Sequence, residues 1–196
     1  MPIAVVKLGG SLANAGPLGG WLDAVLAHGR GRTVVVPGGG AFADAVRSAQ
    51  VRVGFSDRAA ARMAVLAMEQ YAELLLDRAP SLRACSDAAA IRAALAASDV
   101  ALWRPSRMVE SDPAIAASWD VTSDSLAAWL ARRVEAHRLV LVKSADVPPP
   151  PVTAAELAAL GLVDPEFPAY AEAAGCALFC CGPGEHGRLA GAVGLG

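Results

Sequence analysis

Five short apolar runs, "IAVVKL", "RTVVVP", "DVALWRP", "RLVLVKS" and "GCALFCCG", recur along the chain, and amphipathic helical patterns fill the stretches around them. This rhythm constrains the fold more than any other feature. A continuous apolar run of that length suits a strand buried on both faces. The helical patterns then have to carry the chain back across the sheet to the next parallel strand. The expectation is an α/β three-layer αβα sandwich with a mostly parallel central sheet, formed by residues 1–196 as a single domain. In such sheets ligands gather beyond the carboxyl ends of the strands.

The helices expected between the runs carry their own end signals. "LGGWLDAVLAHG" closes at Gly29, and "AFADAVRSAQ" follows the second run. Ser56 and Asp57 cap a long helix through "RAAARMAVLAMEQYAELLLDR", with Pro80 beyond its end. "SDAAAIRAALAAS" and "SDSLAAWLARRVEAH" are helical, "TAAE" has capping-box form, and "EHGRLAGAVGLG" makes a terminal helix. Residues 104 to 121 read as an irregular loop, and "ADVPPPP" as a stiff connector.

Composition narrows the function classes. Apolar residues make up 55% of the chain and charged ones 18%, which is globular rather than disordered. A net charge of -2 gives no reason to expect nucleic acid or an anionic membrane surface as partner. No apolar run approaches the roughly 20 residues of a membrane span. The start "MPIAVVKLGG" has no basic segment ahead of its apolar stretch, so no signal peptide is expected. The four cysteines form no C-x-x-C pair and read as reduced core thiols of a cytoplasmic protein. Cys176, Cys180 and His186 match no known metal-ligand spacing, so no protein-held metal is expected.

Four features fall at or near strand ends: "KLGGS", "PGGG", "WDVTSDS" and "LVKSADV". In the first, Lys7 lies inside an apolar strand just before Gly9, Gly10 and Ser11. A buried lysine needs an anionic partner, and the following amides can converge on an anion. An exposed lysine on an edge strand is the competing reading. In "VVVPGGGAFADAVR", Gly38, Gly40 and Ala43 fit a dinucleotide-binding spacing, a phosphate cradle or a plain tight turn. No Walker pattern is present. The dinucleotide reading of an oxidoreductase needs an acid at the second strand end, where "VVVP" has none; Asp57, 19 residues beyond Gly38, is better explained as a helix cap.

"SWDVTSDSLAAWLA" carries more than a cap requires. Thr122 or Ser123 caps the helix and Asp124 suits its dipole, yet Asp120 and Asp124 with two hydroxyls between them also suit phosphoryl transfer. A carboxylate here could hold Lys7 in position or help bind a metal-nucleotide. Arg58 and Arg62, one turn apart, either clamp an acceptor phosphate or form a solvated basic face. Trp103, Arg104 and Arg107 follow a strand end and are weighed as an acceptor-pocket lining, with burial in the core the stronger reading for Trp103.

Taken in order, "VVKLGGS", "VVVPGGGAFADAVR", "TSDSLAA" and "LVLVKSADV" resemble the amino acid kinase superfamily, which includes aspartate, N-acetylglutamate, carbamate, uridylate and isopentenyl phosphate kinases. Within it, "SWDVTSDSLAAWLA", "AVLAMEQY" and "LVDPEFPAYA" look most like the branch of small kinases serving methanofuran biosynthesis, which turn an aminomethylfuran phosphate into its diphosphate. The resemblance implies an ATP-dependent kinase acting on a small phosphomonoester, with Mg²⁺ entering on ATP and a homo-oligomer, dimer or higher. Kinases of uridylate, isopentenyl phosphate or an amino acid carboxylate are the alternatives within the superfamily, and a dinucleotide-binding oxidoreductase or a catalytically silent binding protein those outside its chemistry. By resemblance, Lys7, Asp124 and Lys143 are catalytic, Asp124 orienting the lysines. Lys7, Gly9, Gly10, Ser11, Gly40 and Lys143 bind ATP. Gly39, Arg58, Arg62, Asp120, Val121 and Thr122 bind the acceptor, where Asp120 could pair an ammonium group and Trp103 or Trp119 could stack on a ring. The chain departs from many relatives after Asp146-Val147, where four prolines replace an expected Asp-Gly.

Overall fold

A computed structural model describes residues 2–14 and 16–194. Six strands, β1 (Ala4–Leu8), β2 (Thr33–Pro37), β3 (Leu82–Cys85), β4 (Val100–Trp103), β5 (Arg138–Val142) and β6 (Ala177–Cys181), form one parallel sheet in the order β3-β4-β2-β1-β5-β6. β1 lies between β2 and β5, pairing Lys7 with Val36 on one side and Leu141 on the other. The edge-strand reading of Lys7 is thereby excluded. Every residue of β1 and β2 is buried, as uninterrupted apolar runs in a parallel sheet require.

Side chains alternate across the sheet. One face carries Val5, Val34, Val36, Trp103, Leu139 and Leu141. Against it pack α4 (Ala88–Ala96), α6 (Ser123–Arg133), α7 (Ala154–Ala159) and α8 (Phe167–Ala174), through residues such as Ile91, Leu130, Leu157 and Phe167. The opposite face, with Val6, Leu8, Val35 and Val140, meets α1 (Leu18–His28) and α9 (Leu189–Ala192). α3 (Asp57–Arg78) reaches both cores, giving Val65 and Met68 to one and Tyr71 and Leu75 to the other. Helices on both faces of the sheet make the expected αβα sandwich.

Most expected elements are found, several with the anticipated caps. Ser56 Oγ accepts from Ala59 N at 3.3 Å, and Thr153 with Glu156 forms the capping box. Four differences stand out. β3 stands in a stretch for which no element was expected, because a four-residue edge strand with Arg83 exposed carries no readable run. α5 (Ser106–Glu110) lies inside the expected irregular loop. α8 follows Pro165 and ends at left-handed Gly175. The expected terminal helix is only a single turn at His186–Arg188 followed by α9, and its last two residues, 195–196, lie outside the described residues.

The chain leaves β1 toward β2 on one side, while β5 lies on the other. The order therefore reverses beside β1, and a crevice opens past the carboxyl ends of β1 and β5.

Candidate active site

Lys7 and Lys143 rise from neighbouring strand ends of that crevice. Lys7 is the fourth residue of β1 and Lys143 the first residue beyond β5, and both are buried. Asp124, in the first turn of α6, enters between them. Its Oδ1 lies 2.9 Å from Lys7 Nζ, and its Oδ2 accepts from Lys143 Nζ at 2.7 Å. Two cations thus share one buried carboxylate, which leaves the trio one positive charge in excess.

The electrostatics follow from that excess. Burial and the neighbouring Lys7 cation push the Lys143 ammonium down to about 8, with Asp124 resisting. For Asp124 burial works against ionisation, but the two lysines outweigh it and hold the carboxyl below its usual range. A buried net positive charge facing a crevice is a site for an anion.

Two glycine-rich loops close the floor. The amides of Gly10, Ser11, Gly39 and Gly40 donate to no acceptor among the described residues, whereas Gly9 N donates to Val142 O and Gly38 N to Leu8 O. The free amides border the same cleft as both lysines. The loops also touch backbone to backbone. A Cβ on Gly10 would overlap Gly40, and Gly40 itself has φ +52 with Gly10 O 2.7 Å from where its Cβ would sit. The Gly38-Gly39-Gly40 motif is therefore both a tight turn before α2 (Gly40–Val53) and part of an amide-lined floor. Replacing Gly10 with alanine is expected to cost about 1–3 kcal/mol of stability through overpacking. Denaturant unfolding measures this; an unchanged midpoint would show that the loops part freely.

The cleft above has a volume of about 710 Å³. Gly39, Arg58, Arg62, Val121 and Thr122 line it with the lysines. Arg62 is tied to Glu110 at 3.3 Å, whereas Arg58 is exposed and makes no ion pair among the described residues. Asp120 departs from its expected position: its carboxylate accepts from Ser118 Oγ at 2.9 Å and is absent from the lining. Trp103 is in the core, stacked on Trp129. Arg104 is held by Glu69 and Glu73, and Arg107 by Asp87. None of these three faces the cleft.

Trp119 does line it. Its indole donates to Gln50 Oε1 at 2.7 Å, and Arg47 lies 4.4 Å from the ring centroid. These contacts join the loop before α6 to α2 across the mouth of the cleft. Sequence reasoning missed Gln50 and Arg47, which occupy ordinary helical positions. It also missed Tyr71, an inward position of the long helix, whose buried hydroxyl donates to Gly9 O at 3.3 Å and fixes that peptide. Nor did it single out Asp164, whose only signal was its place in "LVDPEF". Thr122 precedes α6 as expected, but its side chain makes no capping bond and instead donates from Oγ1 to Asp164 Oδ2 at 2.7 Å.

Comparison with known proteins bears on this arrangement. The model of the amino acid kinase family matches residues 2–148. The [5-(aminomethyl)furan-3-yl]methyl phosphate kinase of Methanocaldococcus jannaschii is 25% identical over 143 residues. That match covers 72% of this chain and 66% of the relative, just short of two thirds of its length. Uridylate kinase from Archaeoglobus fulgidus superposes with a TM-score of 0.71 at 18% identity, covering 98% of this chain and 95% of that one. The UMP kinase from Bacillus anthracis gives 0.68 at 13%, covering 96% and 91%. At such identities the two superpositions establish the shared fold.

Proposed function

The chain belongs to the amino acid kinase family, and from that premise we propose that it transfers the γ-phosphoryl group of ATP to a small phosphomonoester. One observation carries the reading: Lys7 and Lys143 share Asp124 beside four amides that have no acceptor among the described residues, at the sheet's switch point. Phosphoryl transfer requires in-line positioning and charge neutralisation more than covalent help from the protein. An acceptor phosphate oxygen forms the new P–O bond, the bond between the γ-phosphorus and the β–γ bridging oxygen breaks, and ADP leaves. Lys7 and Lys143 neutralise charge on the moving group, and Gly9, Gly10, Ser11 and Gly40 form the floor on which the ATP phosphates lie. Asp124 keeps both ammonium groups in place through the reaction, so none of them reorganises as charge shifts.

Mg²⁺ supplies further charge neutralisation when it is bound to the nucleotide. Both Asp124 oxygens already face a lysine, so this carboxylate does not fit the part of a metal ligand. No step here depends on the ion.

On the acceptor side, Arg58 and Arg62 suit the phosphate of a monoester, and the Trp119 ring suits a flat group. The similarity to the [5-(aminomethyl)furan-3-yl]methyl phosphate kinase of Methanocaldococcus jannaschii supports that phosphate as the acceptor, with its diphosphate as product. Asp120, turned toward Ser118, is dropped as partner of the ammonium group. A coupled assay corrected for ATP hydrolysis should show diphosphate formation from this compound, with UMP and isopentenyl phosphate used at least ~10-fold less well, since a hydrogen-bonding site discriminates against ligands that leave its groups unpaired. Efficient turnover of aspartate or N-acetylglutamate, with none of any phosphomonoester, would overturn the acceptor class and leave the kinase reading intact.

A further inference from the structure

Asp164 lies beyond the segment that the family model matches, in the turn between α7 and α8. It is buried, and no lysine, arginine or histidine pairs with it among the described residues. Four donors converge on it instead. Its Oδ2 accepts from Thr122 N at 3.0 Å, Thr122 Oγ1 at 2.7 Å and Ser125 N at 3.1 Å, and its Oδ1 accepts from Ser125 Oγ. Those donors stand on either side of Asp124 in the chain. The same two segments are tied again by Glu166 N, which donates to Asp120 O at 3.2 Å.

The first amides of a helix lack partners within it. A neighbouring side chain can satisfy one; here a distant carboxylate takes two amides and two hydroxyls at once. A buried carboxylate in such a place fixes the turn rigidly, because any displacement strips it of donors it cannot replace from water. The turn it fixes carries the residue that holds both lysines.

We infer that Asp164 is a positioning residue for phosphoryl transfer: by clamping Thr122 and Ser125 it sets Asp124 between Lys7 and Lys143, and it orients Thr122 in the acceptor wall. The inference rests on the kinase reading for its catalytic consequence, but its geometric core concerns only the lysine trio. Lys143 reports on that core. The charged and titratable groups acting on it are Lys7, Asp124 and Cys180; Lys7 favours loss of its proton, while Asp124 foremost and Cys180 last keep it on. If the turn loosens and Asp124 swings away, Lys143 loses its counter-ion and releases its proton at lower pH.

The test compares Asp164→Ala and Asp164→Asn with the unaltered protein, reading steady-state rates, thermal unfolding and the titration of the Lys143 Cε signal by NMR, assigned with Lys143→Arg. Asp164→Ala is expected to lower kcat on the order of 10²-fold, the usual result of a small misplacement. KM for ATP should stay within about threefold, since the loss falls on the transition state. The Lys143 midpoint should fall by about one pH unit, as loss of a close opposite charge implies. Asp164→Asn should retain activity within about 10-fold, its amide oxygen accepting from the three Oδ2 donors and its NH₂ donating to Ser125 Oγ. A folded Asp164→Ala protein with native kcat and an unmoved Lys143 midpoint overturns the inference. So does a rate loss that merely tracks lost stability while the midpoint stays put, which is the outcome of a purely structural role. Should Asp164→Ala fail to fold, Thr122→Val/Ser125→Ala removes both hydroxyl donors and carries the same expectations. The NMR titration needs no acceptor, so failure of the kinase reading, seen as an unaltered protein with no turnover, is separable from failure of the positioning inference.

Discussion

Lys7→Ala is expected to lower turnover on the order of 10²- to 10³-fold, the usual effect of removing one fixed charge from a developing oxyanion. The geometry says why the protein should remain folded. Removing one partner of a buried ion pair is ordinarily severe, because it strands a charge. Here Asp124 keeps Lys143 at 2.7 Å, so no carboxylate is left unpaired and the trio falls from a net positive charge to a neutral pair. The β1 backbone is held on both sides by β2 and β5 whatever side chain stands at position 7. Rate and circular dichroism measured on the same preparation decide the matter. A folded Lys7→Ala protein turning over at a near-normal rate would remove Lys7 from the chemistry and, with it, the reason for the buried trio.

Asp124→Asn is expected to be nearly as damaging, on the order of 10²-fold, because it releases two cations rather than one from their positions. The informative measurement is coupling. Asp124 serves both lysines, so part of its value disappears once Lys7 is gone and part, that due to Lys143, remains. The double variant Lys7→Ala/Asp124→Asn should therefore be slower than Lys7→Ala alone, yet well short of the product of the two single losses. Residues acting as a unit are non-additive in this way. Full multiplication of the losses would assign Asp124 a separate task, such as binding a metal ion, and would contradict a carboxylate whose two oxygens are both engaged by lysines.

The sheet's strands and most of its helices were legible because burial on both faces leaves a local record: "AVVKL", "TVVVP" and "RLVLV" are continuous apolar runs, and Ser56, Asp87 and Thr153 mark helix starts. β3 left no such record, since a four-residue edge strand buries only its two ends. Lys7, Asp124 and Lys143 were each conspicuous where they stand in the chain, a charge at the end of an apolar run or beside a helix cap. Their meeting was expected from the family resemblance and from no local pattern, because it depends on β5 pairing next to β1 and on α6 packing over that pair. The same limit explains the departure at the acceptor wall. Asp120 looked available from its position in the chain, but Ser118 holds its carboxylate, whereas Trp103 lies in the core against Trp129, the stronger of its two readings. Asp164 shows it most sharply. A carboxylate about 40 residues from the turn it secures has no periodicity to betray it, and only the folded chain turns it into the acceptor of four hydrogen bonds. Sequence alone determined most of the strands and helices and which charged residues stand at their ends, because burial and capping act over a few residues. Tertiary structure alone decided which of those charges face one another, because strand order and helix packing join residues that the chain holds far apart.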